Sequence, residues 1–390
     1  MSARPLGVTV DAAAAVLRAS RNYTIPPRHR PPFGGRCLLP PRAGVPVASL
    51  EVDRQVAGLL HALREPRPLP DVARAAFGER ASAVVAELVL DGLLEVEHEG
   101  RFVSGIDAVG ICCPCPYGDL APRSATARLS VAALQYAALL DVADVSAIAG
   151  RLYGYNQRPL SPMRVRAVTP ADAAPRLDIR AGAIGTLLHR HWRRAPQQAP
   201  DAWTCWVGLG DAQDSAEDCP TYKLYVSPDC SVTSEAVLVV VATLADVGAP
   251  TFKIACGADG PLRPDKIVVY ARGRDHLDEM AAALAHALGP LPPHGVPFTV
   301  DIAGGGLLSW GLDPPPACSG ALPGARASWR EWVTGELARS LALARMSAEP
   351  PIEPWRFALL RLRARGVDVT TWTPYPGLWR STLSQPRAGR

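Results

Sequence analysis

Lys266-Ile267-Val268-Val269-Tyr270 is a β-branched run of strand length, and residues 275–288 after it carry apolar side chains at helical spacing. The same alternation surrounds this pair. Residues 203–209, 222–227, 252–256 and 297–302 read as strands, and 236–247, 329–346 and 355–365 as helices. The expected architecture of this part is mixed α/β, within a chain whose overall class is α+β. It extends from 129 to 380, taking in helical patterns at 130–140 and 145–152.

Working toward the N-terminus, residues 36–47 suggest strand, turn and strand around Pro40, Pro41 and Gly44. Val52, Val56, Leu59, Leu60 and Leu63 then recur at helical spacing. A shorter helix over 70–77 and a third over 81–91 follow, the last stopping at Gly92. Residues 93–96 and 101–103 form a small hairpin, completing a winged-helix pattern over 36–105. The Pro- and Arg-rich run at 25–32 predicts an extended arm over 1–35. Residues 106–128, with Cys112, Cys113, Cys115 and three prolines among and after them, read as a linker, and 381–390 as a disordered tail.

At 390 residues with 48% hydrophobic content the chain can bury sizeable cores, in two or three domains. The apolar run at 12–17 is too short for a signal peptide or a membrane span, so a cytoplasmic protein is expected. Nine irregularly spaced cysteines fit a reducing compartment rather than a disulfide framework. A net charge of +4 without basic blocks predicts neither a nucleic-acid nor a membrane partner.

Lysine usage says more. Of 41 basic residues only Lys223, Lys253 and Lys266 are lysines. Arginine serves wherever a fixed charge suffices, whereas a group that must lose and regain a proton cannot be arginine. These three are therefore the first candidates for chemistry, unless chance left them on one sheet. Other signals are weaker. Cys112 and Cys115 have metal-ligand spacing but no second pair, so free thiols and no metal are expected. His189 and His191, beside Arg190, Arg193 and Arg194, read as a solvated helix end. Trp310, Trp329, Trp332, Trp355, Trp372 and Trp379 read as packing residues. Gly304-Gly305-Gly306 lacks the lysine and helix of a nucleotide loop.

Residues 36–104 resemble PqqD-like elements that bind leader peptides of ribosomally made, modified peptides. The likeness is carried by Cys37-Leu38-Leu39-Pro40-Pro41, by the helix through Leu59-Leu60, and by Val85-Ala86-Glu87-Leu88-Val89-Leu90-Asp91-Gly92. It implies that a leader adds a strand to a sheet edge and lodges apolar side chains near Leu38, Leu39, Val85, Leu88 and Val89. A DNA-binding winged helix is the rival; its third helix here is acidic, with Glu87 and Asp91.

The following domain resembles Hop-type effectors of plant pathogens and, more remotely, bacterial phosphothreonine lyases. The matching pieces are Tyr222-Lys223-Leu224-Tyr225, Phe252-Lys253-Ile254, Arg263-Pro264-Asp265-Lys266, Pro297-Phe298-Thr299, Ser309-Trp310-Gly311-Leu312-Asp313 and Ser328-Trp329-Arg330. The resemblance implies a phosphoserine/phosphothreonine lyase of lanthipeptide-like maturation, making dehydroalanine or dehydrobutyrine without metal or organic cofactor. Lys253 matches the general base, Arg263, Lys266 and Arg330 would hold phosphate, and Lys223 would share its charge. Tyr225 stands where the lyases carry an acid histidine; His294 is either a substitute acid or an exposed loop residue. A precursor peptide and a peptide kinase are the implied partners. The alternatives are a non-catalytic scaffold or cyclisation partner, and a transcriptional regulator with a ligand-sensing domain.

Overall fold

The computed structural model describes residues 8–26, 36–45, 49–113, 119–159, 182–195, 203–209, 221–256, 259–315 and 327–379. In chain order, the first part contains β1 (Val16–Ala19), β2 (Arg36–Leu39), β3 (Leu50–Asp53), α1 (Arg54–Ala62), β4 (Arg67–Pro68), α2 (Asp71–Phe77) and α3 (Ala81–Leu90). It continues with β5 (Leu94–His98), β6 (Arg101–Val103), α4 (Val109–Cys112), α5 (Ala125–Leu139) and α6 (Val145–Tyr153). The second part runs α7 (Gly182–His191), β7 (Trp192–Arg194), β8 (Trp203–Gly208), β9 (Thr221–Val226), α8 (Thr233–Asp246), β10 (Thr251–Ala255), β11 (Ile267–Ala271) and α9 (Arg274–Leu288). It closes with β12 (Val300–Ile302), β13 (Leu308–Asp313), α10 (Trp329–Ala344), α11 (Pro354–Ala364), β14 (Val367–Asp368) and β15 (Thr373–Pro374). No helix among the described residues is long and apolar enough to cross a membrane.

The chain divides into two compact units. One gathers residues 1–121, 134–152 and 333–369; the other gathers 122–133, 153–332 and 370–390. The first unit holds an antiparallel sheet ordered β4-β1-β5-β6 and a separate β2–β3 pair. The stretch expected as an extended arm therefore supplies a central strand: Leu17, fully buried, faces Val96 of β5. Asp53 caps α1 by accepting from the Val56 N–H, fixing where that helix starts. The first part of the expected linker is structured, because α4 buries Val109 and Cys112. Burial pushes the Cys112 thiol up to about 12, with Cys113 adding to it, and Cys113 up to about 11. Both are inert core thiols; Cys115 lies outside the described residues, and no cluster of metal-binding side chains occurs among the described ones. The expected tail at 381–390 is likewise outside them.

The second unit is built on a seven-stranded antiparallel sheet ordered β12-β13-β9-β11-β10-β8-β7. Strand residues alternate between its faces. Leu224, Val226, Phe252, Ile254, Ile267, Val269 and Trp310 point to one side, where α7, α8 and α9 cover them with Leu188, Val240, Leu244, Met280 and Leu284. The sheet with its helical layer makes this unit α+β. The helix and strand ends fall within a few residues of the sequence expectation, except that β12 occupies only the end of 297–302. The other side of the sheet carries the polar residues.

Candidate active site on the polar face of the sheet

Register places the candidate groups. One row across the sheet reads Cys205, Lys253, Val268, Tyr225, Ser309, and the next Val207, Thr251, Tyr270, Lys223, Gly311. Lys223 and Lys253 thus share a face, on strands separated by β11, about 10 Å apart. Lys266 precedes β11 in the same alternation. The environments of the three amines differ.

Lys253 on β10 is half-buried, and its Nζ stands 4.3 Å from the centroid of Trp203 on β8. Among the described residues it has no ion-pair or hydrogen-bond partner. The guanidinium of Arg263 lies 4.8 Å from the same ring, so one indole gathers both cations. Arg263 is positioned by a two-point grip on Asp265, Nε to Oδ1 at 3.0 Å and Nη2 to Oδ2 at 3.2 Å, and remains partly exposed. The turn that brings it there needs Gly260, where a Cβ would come within 2.7 Å of the Ala255 carbonyl oxygen.

Lys223 on β9 is buried, with Nζ 2.5 Å from Asp313 Oδ2 and 5.2 Å from the Tyr270 ring centroid. Burial works to lower its pKa, but Tyr270 and Asp313 together raise it above the usual lysine value. It is a fixed cation. Gly311 faces it, and a side chain there would strike Trp329, with Cβ 2.6 Å from Cδ1.

Two expected phosphate ligands lie deep in the unit. Lys266 is 1% exposed and donates to the Pro228 carbonyl at 2.6 Å, with His294 Nδ1 at 2.9 Å. Burial lowers it to about 8. Arg330, also 1% exposed, donates to Asp265 Oδ2 at 2.8 Å and to the carbonyls of Tyr153 and Pro297. Both tie together the loops beneath the face. Asp265, gripped by Arg330 and Arg263, sits below the usual carboxylate range although burial opposes this.

The acid candidates fare similarly. Tyr225 is 3% exposed, and burial drives its pKa well above 10, with Asp313 adding to the rise. His294, expected on an exposed loop or as a substitute acid, is buried between Lys266 and the Asn156 carbonyl, 2.6 Å from Nε2. Burial and then Lys266 lower it to about 4, so it is neutral near pH 7 and cannot donate as imidazolium. Ser309 on β13 lies beside Tyr225. Its hydroxyl is buried with no hydrogen-bond partner among the described residues.

In the first unit, Val85 and Val89 are 0% exposed and Leu88 7%, packed within the unit. Leu39 is also fully buried. Leu38 on β2 is 55% exposed and remains accessible. At the helix end, His189 and Arg190 are exposed as expected, and the chain passes directly into β7.

No family model matches this chain, and no curated protein does. Among solved structures it is similar to an effector protein from Pseudomonas syringae pv. tomato strain DC3000, at 14% identity and TM-score 0.43, over 64% of this chain and 98% of that one. An effector protein from Pseudomonas syringae pv. syringae strain 61 gives 13% identity and TM-score 0.34, over 60% of this chain and 98% of that one. The type III effector/phosphothreonine lyase OspF from Shigella flexneri gives 12% and 0.27, over 43% and 90%. Likeness this slight does not speak to activity.

Proposed function

We propose that the polar sheet face eliminates phosphate from phosphoserine or phosphothreonine in a ribosomally made peptide, leaving dehydroalanine or dehydrobutyrine. The observation that carries this reading is Lys253. Of the three lysines it alone has an amine engaged by neither carboxylate, carbonyl nor imidazole among the described residues, and it shares the Trp203 ring with a partly exposed arginine. In its free-amine form Lys253 takes the α-proton, the C–H electrons become the Cα=Cβ bond, and the Cβ–O bond breaks to release inorganic phosphate. Arg263 holds the phosphate oxygens, and Lys223 offsets the charge that develops on the substrate. A kinase must first install the phosphate. Within the same proposal, a leader segment pairs with the β2–β3 ribbon beside exposed Leu38.

A second reading is favoured by Tyr225, whose proton is held too tightly for acid catalysis. On that reading the protein is a non-catalytic scaffold or cyclisation partner. Mass spectrometry of a phosphorylated precursor incubated with the protein separates the two. Loss of phosphoric acid by the wild type, reduced about 10²–10⁴-fold in Lys253→Ala, is the expected result; an intact phosphopeptide leaves the scaffold.

A further inference from the structure

Asp313 ends β13. One carboxylate oxygen, Oδ2, is 2.5 Å from Lys223 Nζ, and the other, Oδ1, accepts the Trp329 backbone N–H at 2.8 Å. Trp329 is the first residue of α10, so Asp313 also satisfies an N–H at the start of that helix. The next residue, Arg330, grips Asp265, and Asp265 grips Arg263. A continuous polar chain therefore runs from Lys223 through Asp313 and the head of α10 to Arg263, which meets Lys253 at Trp203.

We propose that Asp313 is the positioning residue of this site: its carboxylate fixes Lys223 as a permanent cation and thereby reserves the base role for Lys253. This rests on the elimination reading. The groups facing Lys223 are Asp313 from β13, Tyr270 from β11 and, farther off, Tyr153 at the end of α6. Asp313 is the one carboxylate among them; burial raises its own pKa, and the ion pair with Lys223 and the Trp329 N–H oppose that rise and favour its charged form. Remove its charge and the burial of Lys223 acts unopposed except by two phenols, so the amine loses its proton more readily.

Asp313→Asn tests this, because the amide oxygen can still accept the Trp329 N–H while the counter-charge is gone. With three lysines in the chain, protein labelled with ¹⁵N at lysine Nζ gives a spectrum assignable by single Lys→Arg variants. Lys223 is expected to titrate at least about one pH unit lower in Asp313→Asn. The alkaline limb of the elimination rate should move to lower pH by a similar amount. In a Lys223→Arg background, where the cation cannot be lost, the same substitution should leave the limb in place. An unchanged Lys223 titration, or a rate loss uniform across pH, overturns the proposal. The spectrum needs no turnover, so a wild type that eliminates nothing defeats the elimination reading while the Asp313–Lys223 link is still decided.

Discussion

Tyr225 is where residue chemistry bears hardest on mechanism. A phenol whose pKa burial drives well above 10 neither ionises nor donates readily near neutrality. Phosphate, however, is a good enough leaving group to depart as a dianion when cations hold it. Tyr225→Phe should accordingly lower the elimination rate less than about threefold, measured by phosphate release under saturating peptide; a hundredfold loss, the scale of general acid catalysis, would make Tyr225 the acid after all. The sequence's three lysines fall on or beside one face of one sheet, since residue parity along strands dictates facing. Depth was not legible. Lys266 immediately precedes β11 and Arg330 lies in the first turn of α10, and the course of the chain at 153–156, 228 and 294–297 supplies the partners that bury them. The role of Asp313 is not legible in the sequence, because its partner Lys223 lies on a strand whose pairing with β13 sequence spacing does not disclose.

Among the elements, α3 is the one whose sequence was most misleading. Its Val85, Leu88 and Val89 were expected to line a groove, yet the segment is apolar nearly all round, and such a helix is a buried one. Its single acidic side chain, Glu87, is raised to about 7, by burial first and then by Asp91. For a carboxyl whose folded pKa exceeds its unfolded value, the neutral form stabilises the fold. That contribution is complete below about pH 4.5 and is lost as pH rises through about 7. Glu87→Gln keeps the neutral form at every pH. Urea unfolding should find it about 1–3 kcal/mol more stable than wild type at pH 8, allowing for partial solvent screening, with the difference shrinking toward zero at pH 5. A pH-independent difference would mean that Glu87 is ionised in the native state throughout.

At the scale of the whole molecule, the linear expectation of a module at 36–105, a linker and a second domain gives way to two units assembled from separated stretches. Local periodicity located the longer helices and strands of both, because each is patterned by its own burial, but not the short β1, β4, α4 and β7. It could not reveal that 134–152 and 333–369 belong with the first unit, since no local pattern encodes partners some 250 residues away. The consequence concerns Asp91. Its carboxylate, just after α3, is ion-paired with Arg361 and Arg365 from the end of α11, and Arg365 also pairs with Glu336. A fragment ending at residue 121 keeps Asp91 and loses both guanidiniums, along with the apolar surface of α10 and α11. Stranding a buried carboxylate costs about 3–5 kcal/mol, against a total stability for an ordinary domain of about 5–15 kcal/mol. The fragment 1–121 should therefore lack a cooperative urea transition, and the leader-binding proposal belongs to measurements on the full chain. A sharp two-state unfolding curve for 1–121 would restore the self-standing module that the sequence suggested.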